Sequence, residues 1–155
     1  MAEVNLSIRP ARVEEATFLT ELLLRSKAHW GYDADFIQRC RNVFAILPEW
    51  IAKDTFFVLQ KKTQIIGFYS LQQQDLTVEL TDLFIEPSVL GHGYGKLLWH
   101  HAIETVRSFG VSTLLIKSDP NAAGFYEAMG AKQIGETPSV INAGRMLPLL
   151  EFKLV

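Results

Sequence analysis

With 155 residues, 48% of them hydrophobic and 21% charged, the chain has the composition of one soluble globular domain and is too short for two ordinary ones. A domain of this size buries roughly two-thirds of its unfolded surface, enough for a core without disulfide or metal staples. Fifteen basic against 17 acidic residues give a net charge of −2; this lacks the basic excess a nucleic-acid binder uses for counterion release, and no apolar run approaches the roughly 20 residues that span a bilayer.

The single cysteine, Cys40, excludes an intrachain disulfide, and no cationic leader precedes an apolar segment. The expectation is an intracellular, cytoplasmic protein. No linker, low-complexity stretch or repeat interrupts residues 1–155, which read as a single domain.

In chain order, residues 4–8 alternate as a strand and Arg9-Pro10 breaks it. Val13, Ala16, Leu19, Leu22 and Leu23 then recur at helical spacing. Residues 26–33 read as irregular, 33–41 as a second helix, and Pro48 as the start of a further helical turn. Residues 55–60, 64–72 and 76–85 form a predicted antiparallel meander. Tyr94, Leu97, Leu98, Ala102, Val106 and Phe109 mark one face of a long helix ending at Gly110. A strand over 113–117, a helix over 120–129 stopped by Gly130, and strands over 131–135 and 146–155 complete a mixed α/β (α+β) order.

The third meander strand slips in parity. Leu76, Val78 and Leu80 occupy even positions, whereas Leu83 and Ile85 continue on odd ones. A β-bulge produces such a slip, as does burial on both faces around Phe84.

Directly after that strand, Gly91-His92-Gly93-Tyr94-Gly95 leads into the long helix. Glycines there allow close backbone approach, and the N–H groups with the helix dipole behind them suit a phosphate; a flexible turn is the plainer reading. Leu90 and Leu97 occupy the first glycine and the hydroxyl positions of a Walker loop, so it is not one. A dinucleotide fingerprint requires glycine at Lys96 and a parallel βαβ unit, neither of which is expected.

Leu83-Phe84-Ile85-Glu86-Pro87 followed by Leu90-Gly91-His92-Gly93-Tyr94-Gly95-Lys96 resembles the acyl-coenzyme-A signature of the GNAT acetyltransferase superfamily. A second stretch, Asn121-Ala122-Ala123-Gly124-Phe125-Tyr126 through Gly130-Ala131, resembles that superfamily's later helix. The resemblance spans essentially the whole chain. It implies a central, mostly antiparallel sheet of about seven strands flanked by about four helices, with a β-bulge before the glycine loop. It further implies acetyl-CoA as co-substrate and an N-acetyltransferase activity in which a neutral amine attacks the thioester. Leu90 stands where the family often carries Gln or Arg, leaving the backbone amides to hold the pyrophosphate.

On this resemblance Leu83, Phe84, Ile85, Gly91, His92, Gly93, Tyr94, Gly95 and Lys96 are the expected coenzyme contacts. Asn121 is a further one, although Asp119 lies at the family's more usual spacing and Asn121 also reads as a helix cap. Tyr126 matches the acid that protonates the departing sulfur; a tyrosine is neutral at pH 7 and able to donate. Glu79 is the favoured base, with Asp82 as alternative, and each also reads as a solvated strand residue. A bulge would free an amide near residues 83–85 for the thioester carbonyl. The four histidines lack metal-ligand spacing, no metal is expected, and Cys40 reads as a buried thiol.

The resemblance assigns acceptor choice to the first helices and the last hairpin. There Trp30, Tyr32 and Asp33 compose one candidate wall, equally readable as a cover for the core, and Arg145 in the 137–145 connection could meet an acidic group. The expected acceptor is a small or amino-acid-like amine; a protein N-terminus or lysine, and a non-catalytic acyl-CoA-binding module, are the alternatives. A homodimer is the family default.

Overall fold

The computed structural model describes residues 5–154 of the chain. Seven strands, β1 (Leu6–Pro10), β2 (Thr55–Lys61), β3 (Gln64–Gln74), β4 (Thr77–Ile85), β5 (Thr113–Lys117), β6 (Lys132–Pro138) and β7 (Met146–Lys153), form one sheet in the order β1-β2-β3-β4-β5-β7-β6. Five helices flank it: α1 (Ala16–Ala28), α2 (Ala34–Phe44), α3 (Pro48–Lys53), α4 (Tyr94–Ser108) and α5 (Ala123–Ala128). Short 3-10 turns occupy Val13–Glu15 and Pro87–Val89. No helix among the described residues is long and apolar enough to cross a membrane.

The period-two pattern of the central strands splits the core into two layers. Phe56, Val58 and Phe68 face α1, α2 and α3, packing with Leu19, Leu22, Leu23, Phe36, Cys40 and Ile51. Leu59, Tyr69 and Leu71 face the other way, toward Leu98, Trp99, Ala102 and Val106 of α4. Each strand thus presents alternate side chains to helices on both faces, which is why its residues read as near-continuous apolar runs.

Several boundaries depart from the sequence reading. β1 begins at Leu6 and includes Pro10, which is tolerated because β1 is an edge strand and Pro10 is its last residue; Val4 lies outside the described residues. α1 continues to Ala28, shortening the irregular segment. Leu76 precedes β4 and is 85% exposed, so it belongs to a turn and not to the buried alternation. α5 begins at Ala123, because the Asp119 side chain accepts the Asn121 N–H and holds the preceding residues in a turn. Pro48 does start a helix, α3, which brings the total to five.

Two topological features position the site. In the β3/β4 ladder Ser70 pairs with Asp82 but Leu71 pairs with Leu80, so Thr81 is the extra residue of a bulge, in accord with the parity slip. β4 and β5 are parallel, with α4 as their crossover, so a parallel βαβ unit is present, contrary to expectation. The dinucleotide reading therefore fails on the Lys96 spacing alone.

Candidate active site

The parallel β4/β5 pairing consists of Val78 with Leu114 and Glu79 with Leu115, and ends where the bulge bends β4 away. Beyond it, β4 stays with β3 and β5 stays with β7, as far as Lys117 opposite Leu149. A cleft opens between the two halves of the sheet. Glu86 N–H donates to the Ile66 carbonyl at 2.8 Å. Strand alternation then turns the amides of Leu83 and Ile85 toward the cleft, where β5 no longer pairs with them.

Two cavities occupy the cleft. The outer one, about 370 Å³, is lined by residues 83–85 of β4, Gly91 and Gly93 of the glycine loop and Tyr94, Gly95 and Lys96 of α4, with Asn121, Phe125 and Tyr126 opposite; His92, expected as a coenzyme contact, lines neither cavity. The inner one, about 280 Å³, is lined by Glu79, Asp82, Asp119, Tyr126 and Arg145 among others. Lys27, Leu83, Phe84, Asp119, Ala122 and Tyr126 line both, so the cavities meet at these residues.

Gly91 (φ +86°) and Gly93 (φ +79°) adopt the left-handed conformation that swings the loop into α4, and Gly93 caps the helix. The first helical bond is Leu97 N–H to the Gly93 carbonyl at 3.1 Å, so the N–H groups of Tyr94, Gly95 and Lys96 lie at the open helix end. His92 Nδ1 lies 2.9 Å from the Val89 carbonyl oxygen and its ring stacks on Tyr94, bracing the loop from within. A helix N-terminus behind such a loop attracts an anion through dipole and N–H groups together. Upstream, Arg25 grips Glu86 with two hydrogen bonds, at 2.6 and 2.9 Å, tying α1 to the end of β4.

In the inner cavity, the Ser70 hydroxyl donates to Asp82 Oδ2 at 2.5 Å. Burial pushes the Asp82 carboxyl up to about 6, against the opposing Ser70 hydrogen bond and Lys27 charge. Glu79 lies 3.5 Å from the Lys117 ammonium. Tyr126 packs on Trp99 and Phe125. Burial, and then the Asp82 and Asp119 carboxylates, push its phenol well above the ordinary tyrosine value, so it carries its proton at neutral pH.

The acceptor-side candidates separate. Tyr32 stacks on Phe36 and hydrogen-bonds Asp119, Asn121 and Arg145. The Arg145 guanidinium lies over the Tyr32 and Phe36 rings, and among the described residues it makes no ion pair. Asp33 instead caps α2, accepting the Phe36 N–H at 2.8 Å, and lines neither cavity. Trp30 borders the outer cavity, not the inner one. The Asn121 amide donates to Asp119 and to Tyr32, while the N-cap of α5 is Ala122. Burial pushes the Asp119 carboxyl up, but the Asn121 N–H, Tyr32 and Lys27 more than offset it and hold it below the usual carboxylate range.

Sequence reasoning missed Lys27 and Ser70. Lys27 sits in the stretch read as irregular, and its ammonium lies 3.6 Å from Asp119 and over the Phe44 and Phe84 rings. Ser70 is a lone hydroxyl within the apolar run of β3, a signal the sequence does carry. His101 of α4 is half-buried with Nδ1 2.7 Å from the Tyr69 hydroxyl. Cys40 is buried as expected, and burial pushes its thiol up. No metal-binding cluster exists among the described residues.

A cleft between parallel strands split by a bulge, with a glycine-flanked helix end beside it, is the arrangement that the sequence resemblance implies for an acyl-coenzyme-A ligand. The family model for the acetyltransferase (GNAT) family matches residues 19–131, and the chain belongs to that family. It is an acetyltransferase with acetyl-CoA as co-substrate. The chain is 30% identical over 156 residues to the peptidyl-lysine N-acetyltransferase YjaB of Escherichia coli K12, covering 97% of each chain. It is 29% identical to the Salmonella typhimurium YjaB over 151 residues, covering 94% of this chain and 95% of that one. The PaiA N-acetyltransferase of Thermoplasma acidophilum, solved with coenzyme A, shares the fold at a TM-score of 0.79 and 20% identity over 99% of both chains.

Proposed function

We propose that this chain transfers an acetyl group from acetyl-CoA to the primary amine of a small, amino-acid-like acceptor in the cytoplasm. The observation that carries the reading is the inner cavity, about 280 Å³, whose lining includes Glu79, Asp82 and Arg145, the last without an ion pair among the described residues. That volume suits a small molecule. Its roof, the β6–β7 connection, is held down on α2 by Arg39, which donates to the Ile141 carbonyl at 3.3 Å. An amine carrying a carboxylate would meet acids at one end and Arg145 at the other.

Acetyl-CoA supplies an activated thioester. The residues lining the outer cavity fit it: cleft-facing amides of Leu83 and Ile85 for the pantetheine arm, and the loop and helix-end N–H groups for the pyrophosphate. In the proposed chemistry Asp82 takes a proton from the acceptor ammonium, since the Ser70 hydrogen bond leaves it an oxygen for the cavity. Glu79, beside Lys117, then serves to attract the ammonium. The amine nitrogen bonds to the acetyl carbon as the carbon–sulfur bond breaks; the departing sulfur takes the Tyr126 proton, and the second proton shed by the nitrogen restores the phenol.

A second reading, a peptidyl-lysine acceptor, is favoured by the 30% identity to YjaB. A lysine side chain would present its ammonium to the same carboxyls without needing Arg145. Thiol release from acetyl-CoA, measured with a panel of amino acids, decarboxylated amines and lysine peptides, separates the two. Turnover confined to carboxylated small amines supports the first reading, and turnover confined to peptides overturns it.

A further inference from the structure

Ser70 is 1% exposed and lines neither cavity. It stands between Tyr69 and Leu71 in a strand whose residues from Ile65 to Leu71 are all buried. A hydroxyl in such a place costs free energy unless it is hydrogen-bonded. Its hydrogen bond goes to Asp82 Oδ2, its cross-strand partner and the last pair before the register shifts at Thr81. The bulge therefore does two things: it splits β4 from β5, and it brings the Asp82 carboxyl over Ser70 on the acceptor side of the sheet.

The other carboxylate oxygen, Oδ1, accepts no hydrogen bond among the described residues. No buried side-chain polar atom there lacks a partner, so Oδ1 is open to the inner cavity that Asp82 lines. We propose that Ser70 is a positioning residue for the acetyl transfer: by occupying Asp82 Oδ2, its hydroxyl locks the carboxylate with Oδ1 turned to the acceptor amine. This rests on the reading of Asp82 as the group that receives the amine proton.

A donor on Oδ2 also favours the charged carboxylate. The groups facing Asp82 are Lys27 from α1, which favours the charged form, and Glu79 on its own strand and Asp54 ahead of β2, which oppose it. Tyr126 and Asp119 face it across the cavity. Loss of the Ser70 hydroxyl removes one of the two stabilising contributions, so the carboxyl must rise. A catalytic base is active when deprotonated, and its acid limb moves up with it.

The test is the pH profile of kcat/KM for wild type, Ser70→Ala, Ser70→Thr and Asp82→Asn, with acetyl-CoA affinity measured alongside. Ser70→Ala is expected to shift the acid limb upward by about one pH unit, the scale set by one hydrogen bond to a charged group. Its plateau should fall severalfold while acetyl-CoA affinity holds. Ser70→Thr, which keeps the hydroxyl, should restore the limb. An acid limb that stays in place in Ser70→Ala but disappears in Asp82→Asn overturns the positioning role. A limb that survives in Asp82→Asn overturns instead the assignment of Asp82 as base. Should Ser70→Ala fold poorly, carboxyl carbon NMR titration of Asp82 in wild type and Ser70→Cys, whose thiol is a weak donor, decides: a midpoint that does not rise in the cysteine variant refutes the role of the hydroxyl.

Discussion

The Tyr32 hydroxyl donates to an Asp119 carboxylate oxygen at 2.8 Å, joining the loop between α1 and α2 to the end of β5 across 87 residues of sequence. The same hydroxyl accepts from Arg145 at 3.0 Å and from the Asn121 amide at 3.2 Å. One proton and two lone pairs are then all in use, and the direction of each bond follows, since neither a guanidinium nor an amide NH₂ can accept. Tyr32 thus couples Arg145 on the inner cavity to Asn121 on the outer one.

Arg145 is therefore held in place without being neutralised, and its loss should act on the acceptor alone. Arg145→Ala is expected to raise KM for carboxylated amines about 10- to 100-fold, the scale of a charge-assisted hydrogen bond. KM for acetyl-CoA and for amines lacking a carboxylate should stay within about twofold of wild type. Arg145→Lys should recover part of the effect, because a lysine keeps the charge but not the planar fork. Steady-state kinetics across the two acceptor classes checks this, and an equal loss for both removes Arg145 from acceptor recognition.

Tyr126 carries the second prediction. Its hydroxyl makes no hydrogen bond among the described residues, yet no buried polar side-chain atom there is unpartnered, so it opens into the cavities it lines. Tyr126→Phe keeps the ring contacts with Trp99 and Phe125 and removes only the proton donor. Turnover should fall about 100-fold or more, the usual scale for a positioned acid. Acetyl-CoA binding, followed by calorimetry, should be nearly unchanged. Full turnover in this variant would exclude the phenol as the acid.

What the sequence made legible follows from range. The period-two strands, the α4 face and the glycine loop are local patterns, and the parity slip located the bulge that became Thr81. The parallel β4/β5 pairing is not legible in the sequence, because pairing across a crossover helix leaves no mark in either strand. Asp33 looked like a binding residue because an N-cap aspartate and a ligand aspartate are alike until the Phe36 N–H is seen to occupy it. Lys27 and Ser70 do not stand out as site residues in the sequence, since each acquires its meaning from a distant partner, Asp119 and Asp82 respectively.

Gly93 tests the anion-binding end of α4. Its φ of +79° lies in the left-handed region, and a Cβ there would meet nothing within 4 Å, so the cost of a side chain is conformational. Gly93→Ala should lower stability by about 1–2 kcal/mol and weaken acetyl-CoA binding severalfold as the helix-end N–H groups tilt. Gly93→Asn, which tolerates this conformation better, should do less harm. Thermal unfolding and coenzyme titration of both variants are the measurements; unaltered affinity in the alanine variant would separate the loop from the pyrophosphate.

Asp82 makes the sharpest demand on the fold. Burial raises its carboxyl to about 6 from an unfolded value of 3.8, with Glu79 and Asp54 adding to the rise and Ser70 and Lys27 opposing it. Between those two values the native state binds more protons than the unfolded chain, so this residue's contribution to stability falls as pH rises through the window. The penalty is complete above about pH 6 and absent below about pH 4. Asp82→Asn, which keeps an oxygen for the Ser70 hydroxyl, should therefore stabilise the protein at pH 8 by on the order of 3 kcal/mol, with the advantage gone near pH 4. Denaturant unfolding of both proteins at the two pH values measures the difference, and an advantage independent of pH would show that the carboxylate charge is not its source. Because the same variant should lose turnover, it would gain stability where activity is lost, as expected of a charge kept for chemistry rather than for folding.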